Sequence, residues 1–168
     1  MTSTAIIFGG ARREGNTRKV IDAAAHLLSA DVFDVSDYHI SFYDYEHKNR
    51  DDDFLPLVKK LLEYDCWIFA SPVYWYTMSA QLKVFFDRMT DVIDLEPELA
   101  KRLAGHKAAL IASGAEESCP LCYEDVFIHT FNYLEMSYQG CFYLDSSKGV
   151  DVASLADKLG PFVQTLLI

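Results

Sequence analysis

Five short apolar runs recur along this chain, most of them leading into a segment of helical periodicity, and that alternation limits the fold more than any other feature. The runs are Thr4-Ala5-Ile6-Ile7-Phe8, Val32-Phe33-Asp34-Val35, Cys66-Trp67-Ile68-Phe69-Ala70, Ala108-Ala109-Leu110-Ile111-Ala112 and Gly140-Cys141-Phe142-Tyr143-Leu144. A strand with one wet face alternates apolar and polar residues; runs that are apolar throughout belong to a parallel sheet covered on both faces. Helical patterns fill the intervals. Val20, Ile21, Ala24, Leu27 and Leu28 follow the helical period within 16–29. Leu57, Val58, Leu61 and Leu62 follow it after Asp51-Asp52-Asp53, which reads as a solvated helix start. Leu82, Phe85, Phe86 and Met89 follow it within 79–92, and further helices are expected over 121–135 and 152–167. The stretch 36–53 is polar, aromatic and acidic and reads as a long loop. Right-handed crossovers between such strands build a doubly wound, three-layer α/β sandwich. At 168 residues the chain has the size of one domain, and one domain over 1–168 is the expectation.

The formal net charge of −10 argues against a nucleic-acid partner or an anionic membrane surface, because both need a basic patch. No run approaches the roughly 18 apolar residues of a membrane span. Met1-Thr2-Ser3-Thr4 lacks the basic start and long apolar stretch of a secretory signal. The four cysteines (Cys66, Cys119, Cys122 and Cys141) are too scattered for a disulfide framework, so a reducing cytoplasm is expected. In so acidic a chain, any phosphate site must be built locally from backbone N–H groups and arginine.

Such a site is present in outline. Gly9-Gly10-Ala11-Arg12-Arg13-Glu14-Gly15-Asn16-Thr17 directly follows the first strand and opens the first helix. Gly9, Gly10 and Gly15 let the backbone approach a bulky anion and adopt positive φ. Asn16 and Thr17 are capping residue types at a helix start, where free N–H groups and the helix dipole favour an anion. Arg12 adds charge-assisted hydrogen bonds. A plain strand-to-helix turn with solvated arginines is the bland alternative. The loop lacks both Gly-Lys-Ser/Thr and Gly-x-Gly-x-x-Gly, so it is neither a nucleoside-triphosphate loop nor a dinucleotide fingerprint.

A second loop, Ser71-Pro72-Val73-Tyr74-Trp75-Tyr76-Thr77-Met78, follows the third strand. Three successive aromatics cannot all point into a core, and at a cleft mouth they suit a flat conjugated ligand. An exposed turn used for subunit contact is the other reading. Ser79 is placed to cap the next helix, and Lys83 and Asp87 form a surface i, i+4 pair. In the strand order 2-1-3-4-5, the flavodoxin-like arrangement, the topological switch falls between strands one and three. Both loops then line one crevice, with a phosphate end and a planar end.

Gly10-Ala11-Arg12-Arg13-Glu14-Gly15-Asn16-Thr17, together with Ser71-Pro72-Val73-Tyr74-Trp75-Tyr76 and Leu82-Lys83-Val84-Phe85-Phe86-Asp87-Arg88, resembles the signatures of the NAD(P)H-dependent FMN reductase and quinone oxidoreductase family. The resemblance implies a flavodoxin-like fold with FMN as cofactor. Arg12, Asn16 and Thr17 would hold the phosphate, with Gly10 and Gly15 in the same loop. Pro72, Val73, Tyr74, Trp75 and Tyr76 would pack along the isoalloxazine. By position, Ser113-Gly114-Ala115-Glu116 would approach its other side. It further implies a homodimer in which NADH or NADPH is the electron donor and a quinone, flavin or similar small molecule the acceptor. The flavin would then carry the chemistry, and no side-chain general base is expected. Iron–sulfur members of the wider group carry a compact cysteine cluster after the second strand; 36–53 contains no cysteine, which argues against such a cluster.

Cys119-Pro120-Leu121-Cys122 is a C-x-x-C at a predicted helix start, a position that lowers a thiol's pKa. Two reduced thiols are the plainer reading and a reversible disulfide the alternative. Cys66 and Cys141 fall in predicted buried strands and read as small hydrophobes. His26, His39, His47, His106 and His129 show no ligand spacing, which argues against a metal. His39, Tyr43, Tyr45 and His47 are candidates to border the substrate, on loop length alone.

Two other functions compete with the reductase. A flavodoxin-type electron carrier suits the size and acidity, although carrier phosphate loops are Ser/Thr-rich and usually lack the arginines seen here. A flavin-free interaction domain is the third reading, disfavoured by the intact loops.

Overall fold

A computed structural model describes residues 2–167. Five strands, β1 (Thr4–Phe8), β2 (Asp31–Asp34), β3 (Cys66–Pro72), β4 (Lys107–Gly114) and β5 (Ser137–Asp145), form one parallel sheet in the order β2-β1-β3-β4-β5. The helices are α1 (Asn16–Leu28), α2 (Phe54–Leu61), α3 (Ala80–Asp87), α4 (Met89–Leu95), α5 (Pro97–Leu103), α6 (Leu121–Tyr133) and α7 (Leu155–Leu167). This is the flavodoxin-like sandwich expected from the alternation of apolar runs.

The uniformly apolar strands divide their side chains between two cores, as the two-residue repeat of a strand requires. Ile6, Phe8, Ile68, Ala70, Ala109 and Ile111 face Val20, Ile21 and Ala24 of α1 and Leu155, Leu159 and Phe162 of α7. Ile7, Trp67, Phe69, Leu110 and Ala112 face the opposite layer, with Phe54, Leu82, Phe85, Leu103, Phe127 and Phe131. The second core is strongly aromatic. Phe69 stacks on Phe131 with centroids 5.5 Å apart and lies 4.7 Å from Phe86. Trp67 is fully buried, and its indole N–H is satisfied by the Leu61 carbonyl at 2.8 Å. Burying each such side chain contributes about 1.5–3 kcal/mol.

Three elements depart from expectation. The helix predicted over 79–92 is two helices, α3 and α4, which meet at Arg88. Arg88 is fully buried and draws in carboxylates from two directions, so the chain turns there to close the cluster around it. Second, α5 follows at once, although no helix was expected between 93 and 107. Its signal is Pro97 at the first helical position with Glu98 in the first turn, in a segment too short to show a convincing period. Third, the acidic triplet is a solvated helix start only in part, since α2 begins directly after Asp53 but Asp52 turns inward. Asp51 and Asp53 are exposed, but the Asp52 side chain is only 4% exposed and its carboxylate takes two hydrogen bonds from Arg88, at 2.6 and 3.1 Å, and one from the Ser41 N–H at 2.8 Å. Asp53 accepts the His39 N–H at 2.7 Å.

These contacts organise the 36–53 loop, together with Tyr38 and Ile40, which pack against the aromatic core. Arg88 also donates to the Ser41 carbonyl at 3.0 Å, pairs with Asp91 and lies 5.0 Å over the Phe54 ring. On the far side of Asp91, His47 Nδ1 bonds the same carboxylate at 2.7 Å. Burial opposes ionisation of Asp52, but the hydrogen bonds from Arg88, Ser41 and Phe54 outweigh it and hold the carboxyl below its usual range.

Candidate functional site

The switch point of this sheet lies between β1 and β3, whose ends register as Phe8 with Ala70. A cleft of about 450 Å³ opens there at the carboxyl ends of the strands. Four loops supply its walls. Arg12, Glu14, Gly15, Asn16 and Thr17 come from the β1–α1 turn, Pro72, Val73 and Tyr74 from the end of β3, Ser113, Gly114 and Ala115 from the end of β4, and Ser146 from beyond β5; Phe8 closes the base.

The start of α1 is built differently from the sequence expectation. Its N-cap is Gly15, whose φ is −84°, and no side chain caps the helix. Asn16 and Thr17 are therefore the first two helical residues and not caps. Thr17 is buried, and its hydroxyl bonds Ser113 Oγ at 2.7 Å, tying α1 to the end of β4. The first-turn N–H groups thus keep no intrahelical acceptor and no side-chain cap, the arrangement that recruits an anion. Arg13 is drawn aside to Asp37 at 2.6 Å, while Arg12 remains in the cleft wall.

The glycines also act otherwise than expected, since the residues with positive φ do not include Gly9, Gly10 or Gly15. A Cβ on Gly9 would lie 2.6 Å from the Leu82 Cβ and 2.7 Å from its backbone nitrogen. The glycine lets α3 press against the end of β1, and Ser79 fixes that contact by donating to the Gly9 carbonyl at 2.8 Å while capping the Leu82 N–H at 3.2 Å. Positive φ falls instead on the aromatics. Trp75 and Tyr76, at 49° and 66°, form a two-residue hairpin turn closed by mutual bonds between Tyr74 and Thr77 at 2.9 and 3.1 Å. Such turns prefer Asn-Gly, and each non-glycine residue there costs about 1–2 kcal/mol.

Of the residues singled out from sequence, Arg12, Gly15, Asn16, Thr17, Pro72, Val73, Tyr74, Ser113, Gly114 and Ala115 come together in the cleft. Trp75, Tyr76 and Glu116 line an adjoining hollow, with Val73, Pro120 and Tyr143. Gly10 lies behind the wall, where a Cβ would meet the Phe8 ring at 2.7 Å. None of His39, Tyr43, Tyr45 and His47 lines the cleft: Tyr43 packs edge-on against Tyr45, and His47 is engaged by Asp91. Sequence reasoning missed Phe8, Glu14 and Ser146. The rule that ligands bind beyond the strand ends would have nominated Ser146, because it follows β5.

The loops are joined to one another by the protein's own hydrogen bonds. Val73 N–H donates to the Ser113 carbonyl at 2.8 Å, and Ser146 donates to the Gly114 carbonyl through N–H at 2.8 Å and Oγ at 3.0 Å. Tyr143 OH holds the Glu116 carbonyl at 2.9 Å. The C-x-x-C cysteines face different neighbours. Cys122 is exposed, with its sulfur 3.8 Å from the Tyr76 carbonyl, whereas Cys119 lies beside Cys141, the two sulfurs within 4.8 Å, and directs its sulfur to the Pro120 carbonyl at 3.9 Å. Cys141 packs against the aromatic core as expected of a small hydrophobe, although only half-buried, and its closeness to Cys119, reinforced by burial, drives its thiol pKa far up. Cys66 matches expectation: burial pushes its thiol up to about 11.

A flavodoxin-like sandwich with an anion-ready helix start facing an aromatic hairpin across the switch point defines a flavin-binding oxidoreductase scaffold. The sequence matches the family described as NADPH-dependent FMN reductase over residues 2–149, and the chain belongs to that family. It is an NAD(P)H-dependent flavin oxidoreductase with FMN as cofactor. The protein YwqN of Bacillus subtilis (strain 168), provisionally named an NAD(P)H-dependent FMN-containing oxidoreductase, is 29% identical over 148 residues, which cover 81% of each chain. The iron–sulfur flavoprotein of Archaeoglobus fulgidus is 35% identical over 95 residues, spanning 49% of this chain and 43% of that protein. The solved structure of the Trp repressor binding protein from Bacillus subtilis superposes with a TM-score of 0.77 at 24% identity, covering 98% of this chain and 97% of the other. Among the described residues no helix is long and apolar enough to cross a membrane.

Proposed function

We propose that the cleft holds FMN with its phosphate on the first turn of α1 and Arg12, and its ring between the 72–76 hairpin and the 113–116 turn, and that a quinone, free flavin or similar small molecule is the acceptor. The observation that carries this reading is the uncapped start of α1 lining one cleft together with the aromatic hairpin. Gly15 leaves the helix N–H groups open, and Arg12 adds charge to a chain that otherwise repels anions. When bound, FMN supplies two-electron chemistry between nicotinamide and acceptor. The protein's part is orientation: Pro72 and Val73 form one wall, Gly114 and Ala115 another, and the hairpin keeps Tyr74 at the rim. No side-chain base is assigned. The family match favours this reductase over an electron carrier. We further assign it to the cytoplasm as a homodimer, in keeping with four free thiols and an exposed Trp75 at the rim.

The test is direct. Purified protein reconstituted with FMN should be yellow and should reduce a quinone with NADH or NADPH over many turnovers. A protein that stays colourless with added FMN would end the flavin assignment, and slow single reduction would restore the carrier. Arg12→Ala should weaken FMN binding by about 1.5–3 kcal/mol, the worth of a hydrogen bond to a charged group, measured by flavin fluorescence quenching.

A further inference from the structure

Among the described residues, one set of potential metal ligands converges outside the flavin cleft: Cys119 Sγ, a carboxylate oxygen of Glu124 and Cys141 Sγ all lie within 4.8 Å of one another. They come from three places in the fold, namely the turn before α6, the first turn of α6 and the middle of β5. From this convergence we infer that the chain carries a binding site for a thiophilic divalent cation of the zinc class, which fastens the 115–120 turn to β5.

The donor set fits that class. Thiolate and carboxylate are both zinc ligands, and three protein donors with a water complete a tetrahedron. Metal–sulfur bonds of about 2.3 Å and metal–oxygen bonds of about 2.0–2.2 Å separate neighbouring tetrahedral ligands by roughly 3.5–3.8 Å, so the three atoms need only small side-chain adjustments. Glu124 is also oriented from behind, since Tyr138 OH donates to its Oε1. Such outer hydrogen bonds commonly fix a metal-ligating carboxylate. A disulfide would use the two sulfurs and leave this oriented carboxylate without a role. The pair that adjoins in sequence is not the chelating one, because Cys122 turns its sulfur to the Tyr76 carbonyl.

The position gives the ion a structural task. The 115–120 turn is attached to β5 at Glu116 by Tyr143, and an ion at Cys119 would attach its other end. This inference stands apart from the flavin assignment, since none of its three ligands lines the cleft.

The experiment uses the whole chain, reduced, freed of metal by a chelator and without FMN. Zinc chloride titrated by calorimetry should bind saturably at one ion per chain. Cadmium chloride should raise the ultraviolet thiolate-to-metal band, and amide exchange across 115–120 should slow when zinc is added. Cys119→Ser, Cys141→Ser and Glu124→Gln should each weaken zinc binding by at least about tenfold and Tyr138→Phe by about tenfold, whereas Cys122→Ser should leave it unchanged. Absence of saturable zinc binding to the reduced wild-type chain overturns the inference. So does binding that survives both Cys141→Ser and Glu124→Gln but is lost in Cys122→Ser.

Discussion

Trp75 and Tyr76 sit in a backbone conformation that glycine and asparagine would hold more cheaply, at the rim of the cleft and with Trp75 almost wholly exposed. Strain of this sort persists where the local geometry serves something other than stability. The hairpin turns three consecutive aromatics so that Tyr74 joins the cleft while Trp75 and Tyr76 line the hollow beside it. Tyr76→Gly should therefore stabilise the flavin-free protein by about 1 kcal/mol in urea titration, through relief of the positive φ, and at the same time reduce quinone turnover. Equal or lower stability would mean that the aromatic contact outweighs the backbone cost. At this scale the sequence was a mixed guide. Residue types at the strand ends pointed to the cleft, because few chemistries need a glycine-rich turn beside an arginine and a run of aromatics. Their mechanical roles were hidden, since Gly9 serves packing against Leu82 and Thr17 serves a bond to Ser113, both contacts between segments distant in sequence.

At the scale of elements, the buried Arg88 ties together the α3–α4 junction, the 36–53 loop and the start of α2, beside the edge-on contact of Phe54 with Phe85. Asp52→Asn leaves the buried guanidinium with Asp91 as its remaining carboxylate partner, so it should cost about 1.5–3 kcal/mol of unfolding free energy, the worth of hydrogen bonds to a charged group. The sign of the pH effect follows from the depressed carboxyl of Asp52. Its contribution is fully present above the unfolded value of about 3.9 and is lost as pH falls through the lower folded value. Wild-type stability should accordingly drop more steeply than that of Asp52→Asn below about pH 4, read as denaturant midpoints across an acid series. The strands and the first helix were legible because period and length agree there. The α3–α4 break was not, since helical periodicity runs straight through Arg88, and only the tertiary demand of burying a guanidinium between Asp52 and Asp91 interrupts it.

For the whole molecule, a ligand that binds the native state alone stabilises it by mass action. FMN at about a hundred times its dissociation constant should add about 2.7 kcal/mol and raise the thermal midpoint by several degrees, in a calorimetric scan with and without flavin. Riboflavin, which lacks the phosphate, should raise it far less if the start of α1 is the anion site. The bonds from Thr17 to Ser113, Val73 to Ser113 and Ser146 to Gly114 bear on the rates behind that shift. They cross-brace all four strand-end loops through the protein's own groups, so a ligand entering the cleft freezes few torsions. Association should then be fast, and substitutions in the wall should be felt chiefly as shorter residence times, read by stopped-flow flavin fluorescence.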